Sequence, residues 1–160
     1  MPDDPFRMPD DKALDTARML LTSARTAALG TLTAEGAPYV TRIAVGLAAG
    51  RLVSLMSDLS LHAQALHRDP RAGLLLGEAP DRGDPLAFAR LSLVAKAEVV
   101  ARETPEHALI RADWLRLHPK SALYVDFADF RFVAFALSGG HLNAGFGRAF
   151  LLSPAQLPLA

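Results

Sequence analysis

Arg42, Arg90, Ser57 and His62 are the residues of this chain whose types and spacing suit the chemistry of holding an anion. The stretch Arg51–Gly77, RLVSLMSDLSLHAQALHRDPRAGLLLG, reads as a strand (Leu52–Met56), a turn (Ser57–Ser60), a short helix (Leu61–Arg68) and a second strand (Ala72–Leu76). Ser57 and Ser60 are both candidate caps, and either places His62 in or beside the first helical turn. Unpaired backbone N–H groups and the helix dipole favour an anion there, phosphate included. Arg42 and Arg90 belong to strands, and a planar guanidinium suits bidentate contact with phosphate. Both reach one ligand only if the fold brings their strands together.

Other chemistries find less support. His67 lies five residues after His62, not the four that set two ligands on one metal, and the chain has no HExxH motif and no cysteine. A metal site is not expected, and thiol chemistry and disulfides are excluded. Ser57, Ser60 and Ser121 lack a nucleophile elbow. Asp126 and Asp129, in YVDFADF, read as a half-buried strand edge rather than an acid/base pair. Gly139, Gly140, Gly145 and Gly147 lead into a strand, not a helix, so they are read as hairpin or bulge glycines and not as a dinucleotide loop. His141 sits among them and is read as a turn residue, with a cofactor contact or an axial ligand to haem iron as the alternatives.

The elements that must position these residues are mostly strands. The chain has 160 residues, 51% of them apolar, and zero formal net charge. That describes a soluble domain with no electrostatic signature of a nucleic acid or an acidic membrane. No apolar run approaches a membrane span, and the acidic, proline-rich start lacks the order of a secretory signal. A cytoplasmic location follows by default. Residues 1–9 are expected to form a flexible arm and residues 10–160 a single domain. A helix capped by Asp10 or Asp11 runs to near Arg25. Ala27–Thr33, Pro38–Leu47 and Leu52–Met56 are expected to form an antiparallel meander. Leu91–Val100 alternates like a strand, Thr104 and Pro105 open a helix ending at His118-Pro119, and Phe130–Leu137 and Ala149–Leu152 complete the strands. About six or seven strands with few helices predict a mainly β protein, a β-barrel with helical decoration.

Several segments resemble, in order and spacing, the FMN-binding split-barrel superfamily, whose best-known member is pyridoxamine 5′-phosphate oxidase. They are ALGTLTAEGAPYVTRI, the SDLSLHAQAL run before RDPRAGLLL, GDPLAFARLSLVAKAE, and DFADFRF followed by GFGRAF. Within the superfamily the chain is most similar to the HugZ-like haem-degrading branch. The resemblance implies a split barrel acting as a homodimer, with FMN in the cleft between subunits and an oxidoreductase-type role. It places Arg42 and the turn residues Ser57, Leu59 and His62 around the FMN phosphate, and Arg90 near the flavin. His62 stands where the flavin enzymes typically carry lysine, and the Trp and Arg elements that recognise pyridoxal are missing, so pyridoxamine phosphate oxidation is not implied. His62 suits the HugZ-like branch, where the same barrel holds haem. There the iron ligand is a histidine of a C-terminal segment, and in this sequence His141 is the late histidine available for that role. A non-enzymatic ligand-binding barrel is the remaining alternative.

Overall fold

In the computed structural model, which describes residues 6–157, local capping and apolar spacing set the first elements. Asp10 accepts a hydrogen bond from the Ala13 N–H at 2.8 Å and starts helix α1 (Asp11–Ser23). Ala13, Ala17, Leu20 and Leu21 fall on one face of it and are buried. Strands β1 (Thr26–Leu32) and β2 (Pro38–Ala44) form a hairpin whose turn places Gly36 at φ +80°. Then follow β3 (Gly46–Ala48), β4 (Arg51–Ser57), α2 (Leu61–Arg68), β5 (Arg71–Leu76), β6 (Arg90–Val99), α3 (Pro105–Leu117), β7 (Phe130–Asn143) and β8 (Ala149–Leu152).

All strand pairs in the sheet are antiparallel, in the order β2-β1-β5-β6-β7-β4-β3, with β8 added beside β7. Strands β2 and β3 stand at opposite ends of this path, yet only Val45 separates them in sequence. The sheet therefore has to curl until its two ends meet at that residue, and the result is a split barrel. Leu29, Leu52, Leu74, Leu76, Leu91, Leu93, Phe135 and Leu142 fill the interior. On the far side of β4 and β7, Ile110 and Trp114 of α3 pack with Val53, Phe132 and Ala134 in a second cluster. Buried on both faces, β4 carries the continuously buried run Leu52–Met56, with Ser54 its one polar member, instead of an alternating pattern.

Three expectations change. The return strand Pro38–Leu47 is two strands, because fully buried Val45 turns the chain and donates its N–H to the Arg25 carbonyl. The meander consequently stops after one hairpin: β4 pairs with β3 and β7, not with β2. The glycine-rich stretch is largely strand, since β7 runs through Asn143 and pairs with β6 and β8. The bulge reading of its glycines holds in part. Ser138 is the extra residue where the β6–β7 register shifts, and its hydroxyl donates to the Val94 carbonyl at 3.1 Å. The turn itself follows, with Gly145 and Gly147 at φ +106° and +67°. His141 is thus a strand residue, not a turn residue. Residues 1–5 of the expected arm lie outside the described residues, and Arg7 bridges Phe150 in parallel. No helix among the described residues is long and apolar enough to cross a membrane.

Candidate functional site

The curled sheet brings Arg42 and Arg90 together across β1 and β5. Arg42 pairs in register with Ala28 and Ala28 with Leu75, and the strand carrying Leu75 ends at Leu76, followed by Gly77 against the start of β6. Gly77 adopts φ +96°, and a Cβ there would lie 2.6 Å from the Ala89 carbonyl oxygen. Only glycine lets the two backbones approach so closely. Arg42, Arg90, Thr26, Leu75, Glu78 and Leu86 line a cleft of about 690 Å³. Its rim is held by the Thr26 hydroxyl, which donates to Glu78 at 2.7 Å, and by Arg90 Nη1, which donates to the Leu86 and Phe88 carbonyls.

Arg42 also lines a second, smaller hollow of about 210 Å³, together with Ser57, Ser60, His62 and Phe130. Its guanidinium is exposed and makes no hydrogen bond or ion pair with any described residue. Arg42 is therefore the cation shared by both spaces, and it is uncommitted. Of the two candidate caps, Ser60 is the one that caps α2, accepting from the Ala63 N–H. The N–H groups of Leu61 and His62 are left without a described partner at the hollow's edge. Ser57 does something else. Its hydroxyl donates to Asp129 Oδ2 at 2.5 Å and accepts from the Leu59 N–H at 3.1 Å. Leu59 enters only through that N–H, since its side chain is exposed and lines neither space. His62 is half-buried, and burial pushes its imidazole below the ordinary pKa of 6.5, toward the neutral form.

The other flagged residues sit elsewhere. His141 lines a third hollow, of about 570 Å³, with Met8, Val94, Ser138 and Leu151, and its ring meets Phe6 edge-on at 5.0 Å. His67 turns to Asp58 at 3.3 Å, and no group of three metal-ligating side chains occurs among the described residues. Asp126 is paired with Arg111, while Asp129 is joined to the site through Ser57. Sequence reading missed His118, whose Nε2–H donates to the Val45 carbonyl at 2.8 Å while its ring stacks on Trp114. It braces the residue at which the barrel closes, and no local pattern pointed to it.

Comparison with known proteins now fixes the family. The sequence matches the pyridoxamine 5′-phosphate oxidase family over residues 13–140, most of the chain. The chain belongs to that family. A solved structure 42% identical to it superposes with a TM-score of 0.85, covering 95% of this chain and 99% of the other. A heme binding protein from Mycobacterium smegmatis is 30% identical with a TM-score of 0.83; the match covers 94% of this chain but 61% of that longer protein. HutZ, a heme storage protein from Vibrio cholerae, shares the fold at 19% identity and a TM-score of 0.69, over 81% of this chain and 91% of its own. A search of curated proteins gives no match.

Proposed function

We propose that this family member is a homodimeric, FMN-binding, oxidoreductase-type protein of the cytoplasm, and that the Arg42–Arg90 cleft holds the flavin. The observation that carries the reading is the position of Arg42, an uncommitted residue that lines both spaces. The larger has the volume of a small-molecule site, roughly 300–1,000 Å³. The smaller gathers Arg42 and the start of α2, a donor set suited to a phosphate group. When bound, FMN supplies the electron chemistry, and the chain's own residues hold, orient and desolvate it. In this reading Arg42 would pair with the phosphate, and Arg90, steadied by the Leu86 and Phe88 carbonyls, would lie near the flavin.

A second copy is the natural cover for the outer face of the sheet. Val40, Gly30, Gly73, Val94 and Gly139 stand in register on one row across five strands. The three glycines make this row flat, and Val40, Leu75, Val94 and Leu151 are exposed on the face around it. Its continuity with the cleft, which Val40 and Leu75 also line, favours a partner that closes the cleft as it covers the face.

Haem is the second reading, favoured by the named function of the Mycobacterium relative and by the charge of the smaller hollow. Arg42 is the one arginine or lysine lining it, which matches a single carboxylate better than a dianion. The test is to titrate FMN and haemin separately and record absorbance spectra. Saturable FMN binding weakened by Arg42→Ala supports the flavin reading. A Soret shift with no FMN binding transfers the cleft to haem, and binding of neither leaves a cofactor-free barrel.

A further inference from the structure

We propose that Asp129 determines which anions the Arg42–His62 hollow accepts, by turning Ser57 into a hydrogen-bond acceptor. The inference rests on the reading above, in which that hollow receives the anionic end of the ligand. A serine hydroxyl has one proton to donate and two lone pairs that accept. The Ser57 proton goes to Asp129 Oδ2 at 2.5 Å, and one lone pair takes the Leu59 N–H at 3.1 Å. One lone pair is left, on a residue that lines the hollow. Asp129 is itself held in place, because its backbone carbonyl accepts the Asp58 N–H at 2.7 Å. The same turn is thereby locked to Asp129 through both main chain and side chain.

An anion entering the hollow meets donors in Arg42 and at the start of α2, but at Ser57 it meets an acceptor. An oxygen with no hydrogen is opposed there, lone pair against lone pair, with the Asp129 carboxylate behind it. An anion that carries its own O–H donates that hydrogen to Ser57 and completes the set. Inorganic phosphate near neutral pH has such a hydrogen and sulfate has none. For a phosphate monoester the favoured species is the singly protonated one, which predominates below a pKa of about 6. Asp129 acts through Ser57 and is a positioning residue.

The test uses inorganic phosphate and sulfate as probes at one fixed neutral pH, with NMR of the His62 imidazole as the readout. The wild-type chain is expected to bind phosphate about tenfold more tightly than sulfate, a difference of about 1.4 kcal/mol. In Asp129→Asn the side-chain amide can donate to Ser57 and free its hydroxyl to turn toward the anion, so the preference is expected to fall to about twofold or less. Ser57→Ala, which removes the acceptor without touching the carboxylate, should lose the preference too. Equal binding of both anions by the wild-type chain overturns the proposal. So does a preference that survives in both variants, or the absence of saturable phosphate binding. Failure of FMN to bind while phosphate is still preferred over sulfate overturns the flavin reading alone.

Discussion

Arg42 and His141 stand on the same row of the outer sheet face, four strands apart. The row runs Arg42, Ala28, Leu75, Ser92, His141, each in register with the next. At about 4.8 Å per strand the two side chains start about 19 Å apart along the sheet. Within one chain they serve different spaces, Arg42 the cleft beside β1 and His141 the hollow beside β8. His141→Ala is therefore expected to leave FMN affinity unchanged, as read by quenching of flavin fluorescence. A Soret shift on haemin titration that disappears in the same variant would assign haem to the His141 hollow and separate the two ligands physically.

The two arginines of the cleft should not contribute equally. Arg42 has no described partner, so all its hydrogen-bonding capacity is free for a ligand, whereas Arg90 already spends Nη1 on two backbone carbonyls. A hydrogen bond to a charged group is worth about 1.5–3 kcal/mol, so Arg42→Ala should weaken FMN binding by roughly ten- to a hundredfold. Its thermal midpoint should stay where it is, since no partner is orphaned. Arg90→Ala should cost less affinity and more stability, because it also releases the turn over the cleft. The reverse ranking in a titration of both variants would show that the phosphate lies elsewhere.

The same residues show what was legible in the sequence and what was not. The α2 segment was readable because its cap, its length and its stop at Asp69-Pro70 are all local signals. The alternation of β6 was readable for the same reason. The path of the sheet was not. The pattern across Pro38–Leu47 shows one strand, and only the burial of Val45 against the rest of the fold breaks it in two. The site was legible as a set of residue types, but its convergence depends on β1 and β5 lying between Arg42 and the start of β6. Asp129 lies 72 residues from Ser57, and His118 lies 73 from Val45. No short-range spacing encodes contacts of that range. The strand identity of His141 was hidden by glycines that usually mark turns and here flatten a sheet face.

Gly77 and Gly36 offer a matched test of how the cleft is built. Both adopt positive φ, +96° and +80°, but a Cβ at Gly36 meets nothing within 4 Å while one at Gly77 collides with the Ala89 carbonyl. Gly36→Ala should cost about 1 kcal/mol in urea denaturation, from backbone strain alone. Gly77→Ala should cost about 1–3 kcal/mol and also shift the β5–β6 junction that aims Arg90. Equal costs would mean that the close approach at Ala89 is not a constraint.

His62 links the site to pH. Burial lowers its folded pKa below 6.5, so the folded chain holds fewer protons than the unfolded chain in the window just under that value. Its contribution to stability is complete above pH 6.5 and is lost as the pH falls through the window. An anion bound beside it acts in the opposite direction, raising its pKa and drawing a proton onto the ring. NMR titration of the imidazole should give a midpoint below 6.5 in the free protein and a higher one with phosphate present. A free-protein midpoint at or above 6.5 would show that the ring is not desolvated.

Val94 tests the second copy. It lies mid-row on the flat outer face, 55% exposed, with Gly73 and Gly139 as its register partners on either side. Glycines on both flanks leave a lysine introduced there no directly cross-strand side chain to pack against, so Val94→Lys puts a charge on the face. In a single copy that charge is solvated and costs little, and the melting temperature at low protein concentration should barely change. Against a partner's flat apolar face the same charge is stripped of water without a counter-ion, which costs far more than the contact returns. Sedimentation at micromolar concentration should show the wild-type chain as a dimer and Val94→Lys as a monomer. If the cleft is closed by that partner, the monomeric variant should also bind FMN more weakly, although Val94 does not line the cleft. A Val94→Lys dimer with wild-type FMN affinity would place the interface on another surface.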